Sequence, residues 1–426
     1  MNIFKWRKGK SAKKGAENPD VEVAVAAVEQ VFDAATVLLE QFDQVDVRSS
    51  LHLLDRHLEE IRQQGQEEAA CQLVALVEEK LSEDEYPAGV KALLGNVYQR
   101  LDLGQRQANL LRALELYQEA EIFYGVEGEF EGRAIVLNNM GATCMELAAF
   151  DPAYFHRAIP YLEEALVFYE AKSAISLRAS ICMVLGECYL ELEEFGPDHF
   201  ELARDYYERA WVLYEREADR DGLAASQGYL GDVQVALGAY KGEKSLEKAV
   251  QHYRNALGVY IEQELPERCA FYQMRLAETY IALSNMESEH LRKGMRAYER
   301  SLELYDSVGK EGVAADIRME LARLNIVLQD GEEVERLTVA VQLYLKALNS
   351  FQKEQRFAEQ GAALQALARI YLRAGDDSEK EDVQQAIRCL EEAGRVFHQA
   401  NLGAESQIVR EELGAVRQVF GEFPDA

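Results

Sequence analysis

Cysteine, histidine and carboxylate side chains are the residues most able to perform chemistry, and their spacing here predicts neither a catalytic nor a metal site. None of the six cysteines forms a C-x-x-C pair. His52 and His57 are five residues apart, which is the wrong step for one helical face. The acidic run at Glu191, Glu193 and Glu194 is typical of a solvated helix end. Since phosphate-loop, G-x-S-x-G and H-E-x-x-H motifs are also missing, we expect no enzyme activity, no cofactor and no metal.

The charge of the chain excludes one class of partner. The formal net charge is −29, so most of the surface would repel a nucleic acid. Basic proteins or basic peptide segments are the electrostatic complement of such a surface. The alternative is that the acidity serves only to keep a long chain soluble.

The sequence predicts a cytoplasmic protein. Most of the cysteines fall on apolar faces of predicted helices, as free cysteines do in a reducing compartment. No apolar run approaches the ~18 residues that cross a bilayer. The basic N-terminus is followed by Pro19, Asp20 and Glu22, where a signal peptide would carry its apolar region.

A repeat dominates the organisation of the chain. A large apolar residue followed by a small residue, here called the reference residue, recurs every 45 or 46 positions. The reference residues are Gly95, Gly141, Gly186, Gly231, Ala277, Ala322, Ala368 and Gly414.

Two further series run in phase with the first. One contains small residues, namely Ala120, Ala165, Ala210, Ala256, Ser301, Ala347 and Ala393. Four positions later lies an aromatic residue, namely Tyr124, Tyr169, Tyr214, Tyr260, Tyr305, Phe351 and Phe397. Two helices per repeat can approach closely where a side chain is small, and stacked repeats then share one continuous core. The register of the tyrosines on a second helix therefore predicts a structural role rather than base stacking.

The pattern resembles the tetratricopeptide repeat (TPR). The segment from Ala249 to Ala256, with Tyr253 between them, carries this resemblance well. The similarity covers roughly residues 87–423, and the repeat is longer than the usual ~34 residues. Short segments such as residues 109–113 resemble the long repeats found beside CHAT-type peptidase domains. The resemblance implies an all-α fold, a right-handed superhelical solenoid of antiparallel helix pairs.

The sequence divides into four regions. Residues 1–20 are predicted to be a disordered basic tail, and residues 21–86 an N-terminal helical cap that could hold a degenerate repeat. Residues 87–404 would form seven TPR-like repeats. Residues 405–426 would form a C-terminal capping helix and a loose end, because the last face of a solenoid needs cover.

The resemblance also implies where a partner would bind. In this superfamily the first helices of successive repeats line a concave groove, at positions three before, one after and four after the reference residue. The predicted protein-binding residues are Asn96, Asn138, Met145, Met183, Glu187, Asp232, Met274, Glu278, Met319, Arg323, Gln365 and Arg369.

These positions suggest the chemistry of a partner. The middle repeats are acidic and the last two are basic, and several positions carry methionine, which adapts to apolar helices and peptides. One hypothesis is therefore an acidic, methionine-lined channel for a basic amphipathic segment. The alternative is that the methionines pack between helices and that the charges are merely solvated. A clamp for a C-terminal carboxylate is not expected, because Gly89, Ala92 and Ala142 occupy the relevant neighbouring positions.

The N-terminal tail carries a second candidate surface. Apolar residues alternate there with basic ones, the candidate residues being Phe4, Lys5, Trp6, Arg7, Lys8 and Lys10. Such a segment can contact an anionic membrane at the inner face, occupy the protein's own acidic groove, or be an inert terminus.

These observations favour a non-enzymatic scaffold or adaptor that binds a partner protein or peptide, with a basic partner as the natural complement. One alternative is a regulatory receptor similar to the Rap-type repeat proteins, in which a short peptide compacts the solenoid. Another is a membrane-associated assembly factor anchored by the tail. The identity of the partner and the oligomeric state are left open by the sequence.

Overall fold

The computed structural model describes residues 88–101, 105–192, 196–284, 288–328, 333–374 and 380–420. These residues form fifteen α-helices and contain no β-strand. The predicted basic tail, the predicted N-terminal cap and the last six residues lie outside the described residues. Helices are numbered in chain order. Odd-numbered helices, each of which carries a reference residue, are called first helices below. Even-numbered helices, each of which carries a repeated aromatic residue, are called second helices.

The helices belong to two compact units, of which unit 1 ends at Phe195. In unit 1 each helix packs against the next one along the chain. First helices also contact each other there, α1 with α3 and α3 with α5. The helices of unit 1 are α1 (Ala88–Arg100), α2 (Arg106–Glu127), α3 (Phe130–Leu147), α4 (Ala153–Ala171) and α5 (Ile175–Glu191).

Unit 2 begins at Gly196, and its successive helices also pack side by side. The lone final helix begins at Gly403 rather than at the predicted residue 405. The helices of unit 2 are α6 (Pro197–Glu217), α7 (Arg220–Lys241), α8 (Glu243–Glu262), α9 (Pro266–Ala282), α10 (Ser288–Ser307), α11 (Glu311–Val327), α12 (Glu333–Lys353), α13 (Phe357–Ala374), α14 (Lys380–Gln399) and α15 (Gly403–Phe420).

The reference residues are small because a large side chain of the second helix lies against them. A Cβ atom on Gly95 would lie 2.7 Å from the ring of Tyr117, and one on Gly231 would lie 2.4 Å from the ring of Tyr253. Both tyrosines are fully buried. Close packing of this kind leaves no room for an extra methyl group at these two glycines.

The second helices all end in the same way. A residue one or two positions after the helix adopts the left-handed conformation, and the next N–H donates, at 2.9–3.2 Å, to the carbonyl of the repeated aromatic residue five positions earlier. This arrangement is the Schellman motif that ends many helices. The left-handed residues are Gly128, Ser173, Ala218, Glu264, Gly309, Gln355 and Asn401. The positions where second helices end therefore recur every 45 or 46 residues, as the packing contacts do.

The core of each unit follows the predicted series. The described cysteines are free, and four of the five are buried. The repeated small residues are buried, and so are five of the seven repeated aromatic residues, which have the structural role predicted for them. Among the described residues, no helix is both long and apolar enough to cross a membrane.

Candidate protein-binding surface

All the predicted binding residues lie on first helices, and none of them is fully buried. Arg323 and Arg369 are exposed, and the others are half-buried. Unit 1 carries Asn96, Asn138, Met145, Met183 and Glu187, and unit 2 carries Asp232, Met274, Glu278, Met319, Arg323, Gln365 and Arg369. Each unit therefore carries its own candidate surface for a partner.

In unit 1, Asn96 links two first helices. Its Oδ1 accepts a hydrogen bond from Nδ2 of Asn139 on α3 at 3.0 Å. The same oxygen accepts one from Oη of the buried Tyr117 at 2.6 Å. The position after the reference residue therefore joins a second helix of its own repeat and the first helix of the next.

Unit 2 repeats this arrangement with charged groups. Asp232 on α7 accepts a hydrogen bond from Oη of Tyr253 at 2.6 Å and forms an ion pair with Nη2 of Arg275 on α9, also at 2.6 Å. Nη1 of Arg275 lies 2.8 Å from Glu278. Its guanidinium lies 5.5 Å from the centre of the Tyr253 ring, within cation–π range.

The electrostatics of this cluster follow from the contacts. Burial raises the pKa of Tyr253 well above its usual range, and the adjacent Asp232 carboxylate adds to that effect. Burial alone would lower the pKa of Arg275, but its interactions with Tyr253 and with the Asp232 carboxylate outweigh burial, so the pKa is raised. The guanidinium is therefore charged and offsets both Asp232 and Glu278. The acidic stretch predicted for the middle repeats is partly neutralised here by a residue outside the predicted set.

The basic positions of the last repeats also have internal partners. Arg323 donates from Nη2 to Glu320 at 2.6 Å on the same helix. Gln365 donates from Nε2 to Glu412 of α15 at 2.8 Å, and Arg369 forms an ion pair with the same carboxylate. A partner segment at this end of unit 2 would have to share these side chains with α15.

Glu187 on α5 differs from the other acidic positions. It is half-buried, and among the residues that the structure describes it forms no ion pair. Its pKa is raised, chiefly by burial and further by the nearby Glu191. A cation placed beside this carboxylate would relieve an unfavourable burial of charge.

The predicted methionines lie at the border of the core. Met274 and Met319 pack against buried clusters while staying half-buried. Met145 on α3 accepts a contact from Sγ of Cys188 at 3.1 Å, which brings it beside the turn of α5 that carries Glu187. The two interpretations, as core residues or as surface, are therefore compatible for Met145, Met274 and Met319, since each contacts buried residues and keeps an accessible part.

One position that connects first helices escaped the sequence analysis, namely the residue two before the reference residue. It pairs with the position after the reference residue of the preceding first helix, 43 residues earlier, in Asn96–Asn139, Asp232–Arg275 and Arg369–Glu412. We call these three pairs the ladder. Opposite charges at this separation are the signal that could have revealed it.

The structure also has a polar cleft of about 390 Å³ between α10, α11 and α12. Arg318 in its wall donates to both carboxylate oxygens of Asp306, at 2.5 and 2.7 Å, and Lys353 lies 3.4 Å from Glu311. Small-molecule sites are mostly apolar and enclosed. Because internal acids already neutralise two of its cations, this cleft does not have the features of a cofactor pocket.

Comparison with known proteins identifies the fold. Residues 232–336 match the family of soluble NSF attachment proteins (SNAP), which is less than half of the chain. No curated protein sequence matches the chain. The solved structures that resemble this chain include a protein with a tetratricopeptide repeat sensor.

Three solved structures illustrate the similarity. A STAND signal-transduction ATPase with a tetratricopeptide repeat sensor, from Pyrococcus horikoshii, is 18% identical with a TM-score of 0.50, over 80% of this chain and 50% of that one. The chain thus spans half the length of that protein. Aspartyl phosphate phosphatase F from Bacillus subtilis is 12% identical with a TM-score of 0.48, over 90% and 98%. A Rap protein complexed with competence and sporulation factor is 12% identical with a TM-score of 0.43, over 87% and 98%.

The helical architecture and the similarity to the STAND ATPase with its repeat sensor confirm the predicted fold class. The chain has the all-α helical-repeat fold of tetratricopeptide-type proteins. None of the three solved structures concerns the long repeats beside CHAT-type peptidase domains, so that closer relation stays a prediction.

Proposed function

We propose that this tetratricopeptide-type repeat protein is a non-enzymatic scaffold or adaptor, and that it holds a basic segment of a partner protein at Glu187. The observation that carries this proposal is the unpaired, half-buried carboxylate beside Met145 in unit 1. A lysine or arginine of the partner would neutralise Glu187, and its aliphatic stem would lie on Met145 and Met183.

The charge and the cysteines support the rest of the proposal. Nucleic acid is not the expected ligand, because the net charge is −29. A reducing, cytoplasmic location fits the five described cysteines, which are all free. The absence of an enzymatic role rests on the motifs that the sequence lacks and on a surface built of structural side-chain pairs.

The proposed pairing has a defined dependence on pH. The pKa of Glu187 is raised in the free protein, and a bound cation would lower it. A group whose pKa falls on binding releases a proton, so affinity should rise with pH through the titration of Glu187 and then level off. The Glu187→Gln variant should lose this dependence together with much of the affinity.

The experiment is affinity capture of partners with two variants of equal charge change. Glu187→Lys reverses the proposed contact, and Glu303→Lys reverses an exposed carboxylate on the second helix α10. Both variants should keep the helical circular dichroism of the parent. A partner retained by the parent and Glu303→Lys but lost by Glu187→Lys supports the proposal. A partner retained by both variants contradicts it.

A further inference from the structure

Unit 1 exposes an apolar surface at the end of α2 and the start of α3. It consists of Ile122, Phe123, Val126 and Phe130, here called the α2–α3 patch, whose exposed fractions run from 46% for Phe123 to 80% for Val126. Ile122 and Val126 are four residues apart on one helix face. The tight turn at Gly128 then brings the chain directly to Phe130. Single exposed apolar residues are normal on a protein surface, whereas a cluster of them marks an interaction site. Four large apolar side chains exposed within nine residues therefore indicate a surface that another segment covers.

Large apolar residues occupy the positions of both Val126 and Phe130 in the first repeat alone. In the later repeats the two positions are taken by Ala171 with Ile175, Arg216 with Arg220, Glu262 with Pro266, Ser307 with Glu311, Lys353 with Phe357, and Gln399 with Gly403. The fold therefore tolerates charge at these positions. The pairing of two large apolar residues is thus specific to the first repeat, and their burial by an occupant would be favourable.

Unpaired acids surround the patch. Glu127, Glu129 and Glu131 are exposed, and among the described residues none of them forms an ion pair. The nearest arginine, Arg133, is already held by Glu121 at 2.6 Å. Side-chain hydrogen bonding to Glu121 raises its pKa, so this cation is committed to an internal pair. An occupant must therefore combine apolar side chains with several positive charges, and an anionic membrane would be repelled.

The chain itself contains a segment with this composition. Its residues 1–14 carry Ile3, Phe4 and Trp6 together with Lys5, Arg7, Lys8, Lys10, Lys13 and Lys14 and no acidic residue. This segment lies outside the described residues. Residues 15–87 connect it to the first residue of α1 in the same unit, a stretch that would span ~110 Å even at the rise of a helix.

We infer that residues 1–14 bind the α2–α3 patch of the same chain, with Phe4 and Trp6 on the apolar side chains and the lysines beside Glu127, Glu129 and Glu131. Tethering favours this pairing over an external competitor of equal intrinsic affinity, because it supplies a high local concentration. A free basic partner would have to displace the segment to reach the patch. The inference concerns a different surface from the Glu187 contact and does not depend on it.

Tryptophan fluorescence of the full chain tests the inference. The chain has two tryptophans, and Trp211→Phe leaves Trp6 as the sole reporter. Apolar contact should shift its emission to shorter wavelength and make acrylamide quenching about threefold weaker than in a free peptide of residues 1–18, because water and quencher are excluded. Raising NaCl to about 0.5 M should weaken this protection, since the screening length falls to about 4 Å.

Two variants and one matched control, all with Trp211→Phe, locate the binding surface. Val126→Ser with Phe130→Ser should return the quenching of Trp6 to the value of the peptide. Val334→Ser should leave it protected, although Val334 is 81% exposed and lies between Glu333 and Glu335. The charge variant, with Glu127, Glu129 and Glu131 all changed to Gln, should lose about as much protection as high salt removes, and it is the deciding variant if the serine variant misfolds.

Three results would overturn the inference. Trp6 could be as accessible in the full chain as in the peptide, which means that the segment is not bound. Its protection could survive both patch variants, which would place it on another surface. Its protection could also rise with protein concentration, which would assign the segment to a second copy rather than to its own chain.

Discussion

Asp232 and Arg275 join two first helices through an ion pair of 2.6 Å between residues 43 positions apart. Both side chains are about a quarter exposed, so the ion pair is neither a solvent-exposed surface pair nor a fully buried one. Arg275 also holds Glu278 and covers the ring of Tyr253. The pair therefore connects the packing of one repeat to the surface of the next.

Replacement of Arg275 by methionine should lower the free energy of unfolding by about 1–2 kcal/mol, because Asp232 and Glu278 are left without their cation. Circular dichroism during urea unfolding would measure the change in midpoint.

Arg323→Met is the matched control for that experiment. Arg323 is 60% exposed and pairs with Glu320 on its own helix, so its loss should be below ~0.5 kcal/mol. Equal losses in the two variants would mean that the contact between first helices contributes nothing of its own.

Two glycines of one repeat should respond in opposite directions to alanine. Gly231→Ala places a methyl group 2.4 Å from the Tyr253 ring and should destabilise by about 1–3 kcal/mol through overpacking. Gly258→Ala meets nothing within 4 Å inside α8 and should stabilise by about 0.5–1 kcal/mol through helix propensity. Thermal and urea unfolding measure both changes, and a shift of the same sign would contradict the close approach of α7 and α8.

Alkaline pH should destabilise the protein partly through Cys188. Burial, with a further contribution from Glu187, raises the pKa of its thiol from 9.0 to about 12. The stability that this group contributes is complete below the unfolded pKa and is lost as pH rises from about 9 toward 12, by up to ~1.4 kcal/mol per pH unit.

The Cys188→Ala variant isolates that contribution. Its unfolding free energy should fall less steeply than that of the parent between about pH 8 and 10.5, when urea unfolding is measured at each pH. Parallel pH profiles would show that Cys188 loses its proton in the folded protein as readily as in the unfolded chain.

The contact of Glu412 with Gln365 and Arg369 should hold α15 in place. Glu412→Ala should increase amide exchange in α15 by about two- to fivefold, which corresponds to a loss below ~1 kcal/mol for a half-exposed contact. Glu411→Ala is the control, because Glu411 contacts only Gln407 of the same helix among the hydrogen bonds identified for it. Unchanged exchange after Glu412→Ala would assign the docking of α15 to its apolar residues alone.

The sequence was sufficient to predict the repeats because their packing depends on size and period. Gly231 and Tyr253 illustrate this, since a small residue and an aromatic one recur at a fixed step wherever two helices approach. The Schellman ends were not predicted, because five of the seven left-handed residues are not glycine. Arg275 was missed for a different reason. Its partner lies one repeat away, and a repeat pattern describes positions within a repeat rather than contacts between repeats.

The surfaces were predicted less completely than the fold. The predicted binding positions lie on first helices, but the charge of Asp232 cannot be judged without its neighbour on α9. The α2–α3 patch was also missed, because large apolar residues occupy the positions of both Val126 and Phe130 in the first repeat alone. Features that differ between repeats are invisible to a search for what the repeats share.

The ladder gives the repeats a fixed order. Each pair joins one residue of a repeat to one residue of the next repeat. The three pairs differ in chemistry, since Asn96–Asn139 joins two amides, Asp232–Arg275 an acid to a base, and Arg369–Glu412 a base to an acid. If the repeat that begins with α9 followed the one that carries Arg369, two arginines would face each other where Arg369 now meets Glu412. The repeats are therefore not interchangeable. A repeat that is moved or duplicated would place side chains without a complementary partner against the first helix of its new neighbour.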